Sequence, residues 1–259
     1  MNEELLHRFI NLFLGYGECV ATWAFIGMEE KGCAGHNGWT GEQEAIARLA
    51  AWSELDEDST VSLMAFHQRM YEVLHRDDPH YEWGGWTSIN QTWKYLIRIR
   101  LAAEGQEHPS PQVLMDFLNN RLGDANGETF LAELNPLPCP SSREWPWPRW
   151  SNSVPSTKSE FIQQLMPIRR DALLRGIVDQ TGSPRVVVFY GNGYREHWLQ
   201  IAQVLAMEPI EGLPGSRWAL RNRKLFVSAP HPNGIRIPEL GWPQYATDLG
   251  LWIRNRLQQ

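Results

Sequence analysis

Short apolar runs alternate with amphipathic segments along the chain. Four runs predict buried strands, at 20–26, 129–134, 185–190 and 224–229. Apolar residues at helical spacing predict helices at 3–14, 42–52, 61–75, 88–102, 111–122, 159–177 and 194–206, and a last helix at 245–257. Strands that alternate with helices favour a parallel sheet covered on both faces. The pattern therefore predicts an α/β fold in a single domain over residues 1–259.

Polar side chains follow each predicted strand, in the segments 27–32, 135–140, 191–194 and 230–234. Ligands of such a sheet gather at the carboxyl ends of the strands, so these segments are where chemistry is expected. The adjacent carboxylates of Glu29 and Glu30 suit activation of a water molecule. Asn135 carries both a donor and an acceptor, as recognition of a nucleobase amide edge requires. His231 lies between two prolines, which would hold its imidazole in one orientation.

Each segment taken singly is more typical of a surface turn. Two adjacent glutamates are often solvated acids, and an asparagine before proline often forms a turn. The backbone amides at Gly191 and Asn192 suit a phosphate, although a lone Gly-x-Gly is a weak signal. Their combination, in order along one chain, is what points to a site.

In that order the four segments resemble the motifs of the uracil-DNA glycosylase superfamily. The matching segments are Gly27-Met28-Glu29-Glu30-Lys31, Asn135, Phe189-Tyr190-Gly191-Asn192-Gly193-Tyr194, and Ala229-Pro230-His231-Pro232-Asn233-Gly234-Ile235. The resemblance implies a three-layer α/β/α fold with a four-stranded parallel sheet. Residues at about 54–128 exceed what a minimal member needs and are expected to form a helical insertion.

The resemblance also implies cleavage of the N-glycosidic bond of a base flipped out of DNA. Glu29 would activate water, with Glu30 as the competing candidate, and His231 would donate a hydrogen bond to the departing base. Lys31 stands where classical members carry a tyrosine that blocks C5 substituents. A C5-substituted or deaminated pyrimidine is therefore the expected target.

The same resemblance assigns residues that would bind the base and the DNA. The base-binding residues are expected to be Asn135, Trp39, Lys31 and Met28, with Trp39 equally suited to a packed core. The DNA contacts are expected from Gly191, Asn192, Asn233, Ile235, Arg236, Arg221, Arg223 and Lys224. Of these, Ile235 would fill the space that the flipped base leaves.

Charge is divided unevenly between the two halves of the chain. Residues 1–130 carry 20 acidic and 9 basic side chains, a net −11, whereas residues 131–259 carry 10 and 15, a net +5, so the whole chain has −6. A basic face on the second half would still attract a polyanion, because screening limits charge effects to about 10 Å. Chance segregation on solvated surfaces explains the division equally well.

Three cysteines without a Cys-x-x-Cys pair give neither a disulfide framework nor a four-cysteine zinc or iron–sulfur site. No metal and no cofactor is expected. The longest uncharged apolar stretch, about ten residues, is too short for a membrane helix. We expect a cytoplasmic monomer that binds duplex or single-stranded DNA, in antiphage defence or base-excision repair. Two alternatives stay open, a catalytically inactive DNA-binding member of the same fold and a nucleoside or nucleotide hydrolase.

Overall fold

The computed structural model describes residues 1–35, 38–78, 80–141, 143–178, 184–234 and 241–259. Within these ranges the chain forms eight α-helices and eight β-strands, which confirms the prediction of an α/β protein. The helices are α1 (Glu3–Leu12), α2 (Gly41–Ser53), α3 (Leu63–Leu74), α4 (Gln91–Ala103), α5 (Pro111–Asn120), α6 (Lys158–Leu173), α7 (Arg195–Ala202) and α8 (Trp242–Leu257). The strands are β1 (Gly15–Tyr16), β2 (Trp23–Lys31), β3 (Thr60–Val61), β4 (Thr129–Cys139), β5 (Val186–Tyr190), β6 (Glu208–Pro209), β7 (Arg217–Arg221) and β8 (Lys224–Ala229).

Side-chain caps fix where six of these helices begin. Asn2, Thr40, Ser62, Asn90, Ser110 and Thr157 each accept a hydrogen bond from a backbone amide in the first turn. Such caps satisfy amides that have no partner inside the helix, and each is worth about 1 kcal/mol. Of the helices that the structure describes, none is both long and apolar enough to cross a membrane.

The eight strands form one mixed sheet, in the order β3-β1-β4-β2-β5-β8-β7-β6. The four strands predicted from the sequence lie together in its centre, and β4, β2, β5 and β8 pair in parallel. The outer strands β1 and β7 run antiparallel to the central ones. The predicted sheet of four parallel strands is therefore incomplete, since four further strands flank it. The sequence does not reveal them because β1, β3 and β6 have only two residues each and β7 is half-exposed.

Two of the central strands extend beyond their apolar runs. Strand β2 continues to Lys31 and β4 to Cys139, and the two pair at Glu29–Asn135 and Lys31–Cys139, with a register shift between these pairs. Glu29, Glu30 and Asn135 therefore lie within strands rather than in the turns that the sequence predicts. Proline is rare in central strands because it has no amide hydrogen to donate to the ladder. Pro136 and Pro138 of β4 lie in this irregular part of the ladder.

Side chains of the sheet pack into two hydrophobic clusters, one on each face. Along β5, Val186 and Val188 join the larger cluster, whereas Val187 and Phe189 join the smaller one. Helices α1 to α5 and α8 contribute to the larger cluster, and α7 contributes to the smaller one. The alternation of side chains along a strand thus explains why β5 is apolar at every position.

Helix α8 supports α4, whose first turn lies at the candidate site. Gly250 of α8 lies so close to α4 that a Cβ there would stand 2.3 Å from the carbonyl oxygen of Ile99 and 2.6 Å from Cβ of Ala102. A backbone oxygen cannot turn aside as a flexible side chain can, so the two helices would have to separate.

We predict that Gly250→Ala lowers the free energy of unfolding by about 2–3 kcal/mol, the cost of overpacking a tight core contact. Gly84→Ala is the matched control, because a Cβ at Gly84 meets no atom within 4 Å. Denaturant unfolding of the three proteins measures the effect. Equal stability of Gly250→Ala and the wild type would show that α4 and α8 do not pack this closely.

Candidate active site

The carboxyl ends of β2, β4, β5 and β8 meet at one edge of the sheet because the four strands are parallel. Glu29 on β2 lies beside Asn135 on β4, whose amide nitrogen donates a hydrogen bond of 3.3 Å to Glu29 Oε2. Lys158, the first residue of α6, donates to Glu29 Oε1 over 2.7 Å. The side chain of Glu29 is only 13% exposed, and that of Lys158 is 16% exposed. The carboxylate is therefore held in one orientation at the rim of the sheet.

Asn135 is itself almost completely buried, at 3% exposure. Its Oδ1 accepts a hydrogen bond of 3.0 Å from the backbone amide of Leu137. Its acceptor and one of its two donor hydrogens are thus used within the protein. In this geometry Asn135 orients Glu29, and its predicted role in reading a base stays a prediction.

Glu30 lies in a buried ion pair. Two guanidinium nitrogens of Arg48 donate to its carboxylate over 2.7 and 3.0 Å, and the Tyr16 hydroxyl donates over 2.9 Å. Nε2 of His67 lies 3.6 Å away. Burial alone would raise the pKa of Glu30, but Arg48 and His67 outweigh it and hold that pKa well below its ordinary range. Glu30 is therefore ionised, and like Glu29 it has both oxygens bound within the protein.

Glu133 on β4 is a third carboxyl group at this edge, and it is not among the site residues that the sequence analysis assigns. The Tyr190 hydroxyl donates to its Oε1 over 2.5 Å, whereas its buried Oε2 has no hydrogen-bond partner in the described part of the chain. Burial raises the pKa of Glu133 to about 8, and the charges of Glu30 and Glu29 act in the same direction. The carboxyl group is therefore protonated at neutral pH.

Gly27 makes room for the pair formed by Glu133 and Tyr190. A Cβ at Gly27 would lie 2.3 Å from Glu133 Oε2 and 2.4 Å from the Tyr190 hydroxyl oxygen. The glycine at the start of the first motif is thus needed for close approach of side chains from both neighbouring strands.

A cavity of about 30 Å³ adjoins this pair, large enough for a water molecule. The polar and aromatic side chains that line it include Tyr16, Glu30, Trp93, Glu133, Arg169 and Tyr190. Arg169 is 1% exposed and donates to the backbone carbonyls of Phe13, Leu14 and Glu133. Burial lowers the pKa of Arg169 to about 10, so it remains charged at neutral pH.

His231 follows β8 and lies beside Tyr190, with ring centroids 6.4 Å apart. Its Nδ1 accepts a hydrogen bond of 3.3 Å from the amide of Asn233, and its Nε2 lies 3.2 Å from the Thr92 hydroxyl. The first contact places the proton of the neutral ring on Nε2. Burial lowers the pKa of His231, which favours this neutral form at physiological pH.

None of the four predicted base-binding residues is among the residues that line the cavity, and neither are Glu29 and His231. Met28 packs against the smaller hydrophobic cluster, on the other face from Glu133. Trp39 packs edge-on against His75 with ring centroids 5.3 Å apart. The side chain of Lys31 is exposed at the end of β2. The tryptophan that lines the cavity is instead Trp93, next to the Thr92 that contacts His231.

The predicted basic contacts to DNA require a correction. Arg221, Arg223 and Lys224 lie at the hairpin between β7 and β8, at the amino end of β8, whereas His231 follows its carboxyl end. A six-residue strand is about 17 Å long, so this hairpin is on the opposite edge of the sheet from the site. Lys224 is also 6% exposed, with its ammonium group donating to the carbonyl of Ile177.

The predicted phosphate loop after β5 also makes internal contacts. The amide of Gly191 donates to the carbonyl of Ala229, and the Asn192 side chain donates to the carbonyl of Gly215. Asn233 is exposed in the short 3₁₀ turn after His231. Ile235 and Arg236 lie outside the described residues.

Comparison of the chain with family models, curated proteins and solved structures found no match. Among the described residues, no group of three or more His, Cys, Asp or Glu side chains has the arrangement of a metal site.

We predict a pH-dependent stability that comes from Glu133. The folded protein holds a proton on Glu133 up to pH about 8, whereas the unfolded chain releases it near the ordinary pKa of 4.5. The free energy of unfolding should therefore fall between these two pH values, by up to ~1.4 kcal/mol per pH unit relative to Glu133→Gln. Denaturant unfolding of both proteins from about pH 5 to 9 measures the difference. A difference that does not change with pH would contradict the prediction.

Proposed function

We propose that this chain is a DNA glycosylase that cleaves the N-glycosidic bond of a C5-substituted or deaminated pyrimidine. One observation carries the proposal: Glu29 and Asn135 hydrogen-bond to each other at the carboxyl edge of the parallel strands, and His231 follows β8 at the same edge. The central strands, with clusters on both faces, support a three-layer α/β/α fold like that of the uracil-DNA glycosylase superfamily. In this interpretation β1, β3, β6 and β7 are additions to it.

Glu29 is the carboxylate that suits the developing sugar cation. Cleavage of the bond leaves positive charge on the sugar and negative charge on the base, so a fixed carboxylate stabilises the transition state more than the ground state. Lys158 and Asn135 fix its two oxygens, which leaves it oriented before the substrate binds. The same carboxylate accepts a proton from the attacking water.

His231 is the donor that suits the departing base. Its neutral ring carries the proton on Nε2, because the amide of Asn233 donates to Nδ1. In the free protein Nε2 faces the Thr92 hydroxyl, a partner that a base oxygen can replace. A donor aimed at the atom where negative charge develops contributes roughly a hundredfold or more to the rate.

The position of the three basic residues of the β7–β8 hairpin favours a second candidate, the hydrolysis of free nucleosides or nucleotides. Arg221, Arg223 and Lys224 lie at the opposite edge of the sheet from Glu29, so they do not supply a phosphate-binding surface around it. A free nucleoside needs no such surface, whereas DNA binding depends strongly on phosphate contacts.

The test of both candidates is incubation with single- and double-stranded oligonucleotides that carry uracil, cytosine or their 5-substituted forms. Abasic sites are detected by alkaline strand scission, and free nucleosides are assayed by release of the base. Abasic sites support the glycosylase, whereas release from nucleosides alone supports the second candidate. No release from any substrate would overturn both.

We predict that Glu29→Gln lowers the rate of base release by roughly a hundredfold or more and leaves DNA affinity unchanged, because it removes the charge but keeps the size. Glu18→Gln, an exposed acid before the other end of β2, is the matched control and should keep full activity. Single-turnover rates and binding isotherms measure both effects. Full activity of Glu29→Gln would remove Glu29 from the mechanism.

Lys31 is exposed at the end of β2 and does not line the cavity, so its predicted role as a gate for the C5 substituent needs a direct test. If residue 31 gates the base pocket, Lys31→Tyr should lower activity on a 5-substituted pyrimidine roughly tenfold more than on the unsubstituted base, because the ring blocks the substituent. Lys31→Gln removes the charge without adding a ring and should leave the activity on the 5-substituted pyrimidine unchanged. Equal losses on both bases in Lys31→Tyr would show that residue 31 is not a gate.

A further inference from the structure

Two carboxyl groups with opposite protonation line the same cavity. Glu30 is ionised beside Arg48, whereas Glu133, on the neighbouring strand, keeps its proton to about pH 8. Pairs of carboxyl groups whose surroundings separate their pKa values in this way are typical of general-acid and charge-stabilising roles in glycosyl hydrolysis.

The contacts of Glu133 determine where its proton lies. The Tyr190 hydroxyl donates to Oε1, which leaves Oε2 as the oxygen that carries the proton. This buried oxygen has no partner among the described residues. An unused donor in a buried site is costly unless a ligand or water accepts from it.

The groups that face Glu133 come from each element packed around it. They are Glu29 and Glu30 on β2, Tyr190 on β5, Arg169 on α6 and Tyr16 on β1. Burial raises the pKa values of Tyr16 and Tyr190 well above 10. Glu133 is therefore the group among them that loses a proton near pH 8.

We propose that Glu133 is the general acid of the glycosidic cleavage and that the base it protonates is a cytosine derivative. The proposal rests on the proposed glycosylase function and names the class of base at the same site. A cytosine anion is a much poorer leaving group than a uracil anion, whose charge is delocalised over its two carbonyl groups. Cytosine therefore needs a proton on N3, and a carboxylic acid supplies it.

The protons and electrons balance in this step. As the bond between C1′ and N1 breaks, its electron pair goes to the base and the proton of Glu133 Oε2 moves to N3. Water adds its oxygen to C1′ and gives a proton to the Glu29 carboxylate. Glu29 then releases its proton to solvent and solvent returns one to Glu133, so both carboxyl groups regain their starting states and the net reaction consumes one water molecule.

Access to Glu133 passes the first turn of α4. The cavity of about 30 Å³ is smaller than a pyrimidine ring, so the half-buried Trp93 that lines it has to turn aside for the base to enter. Thr92, beside Trp93, contacts His231, so one movement of this turn opens the cavity and frees Nε2. Trp93 then offers an aromatic face to the flipped base.

The test compares Glu133→Gln with the wild type on one oligonucleotide carrying a 5-substituted cytosine and one carrying uracil. Glutamine keeps the shape and a donor but has no proton to transfer. We expect a loss of roughly a hundredfold or more on the cytosine derivative and less than about tenfold on uracil. The wild-type rate on the cytosine derivative should also fall above about pH 8, as Glu133 ionises.

Tyr190→Phe is the second variant, since it removes the hydroxyl that orients Glu133 and should shift the alkaline limb of the pH profile. Thermal unfolding shows whether each variant is folded. Equal effects of Glu133→Gln on the two bases, or an unshifted profile in a folded Tyr190→Phe, would overturn the proposal while leaving the glycosylase function intact. A wild type that releases neither base would overturn the function itself, and the proposal with it.

Discussion

The long pairing of β2 with β4 is the constraint on which the candidate site depends. It begins in the apolar core at Trp23 and Thr129 and continues to Lys31 and Cys139, beyond the point where the side chains become polar. Pairing in register up to Glu29–Asn135 holds Glu29 in place on a strand, where a loop would leave it mobile. A carboxylate on a rigid strand loses little freedom when a substrate arrives, which is what pre-organised catalysis requires.

The same pairing brings carboxyl groups together in a region of low dielectric constant, and their partners decide their charges. Arg48 reaches Glu30 from α2 and keeps it ionised, at the cost of removing both charges from water. Among the described residues no arginine donates to the Glu133 carboxyl group, because Arg169 directs its guanidinium to backbone carbonyls. Glu30 is therefore ionised and Glu133 protonated because α2 directs an arginine at the carboxylate of Glu30, whereas the arginine of α6 binds backbone carbonyls.

Much of the fold was accessible from the sequence because apolar runs and helical spacing report burial directly. The four central strands and the eight helices fall at or near their predicted positions. The small outer strands are not predictable in this way, since two-residue strands have no periodicity. Glu133 is the single acid in the apolar run at 129–134, and this was a usable signal. Burying a charged group in a strand is costly unless the group is paired or loses its charge.

The partners of the site residues were not predictable, because they come from distant segments. Nothing local in the sequence links Lys158 with Glu29 or Arg48 with Glu30, pairs that only the packing of α6 and α2 on the sheet creates. The position of the basic residues near β8 relative to His231 was not predictable for a related reason. Arg223 is eight residues from His231 along the chain, yet a strand between them carries the two to opposite edges of the sheet.

The placement of α4 changes how the helical segment at 54–128 is understood. An insertion that only decorates a fold would contact the sheet through apolar side chains and stay away from the strand ends. Helix α4 instead contributes Thr92 to the histidine and Trp93 to the cavity. Gly250 of α8 packs against Ile99 and Ala102, so the C-terminal helix holds the end of α4 opposite to that first turn. The segment therefore contributes to the wall of the cavity beside Glu133.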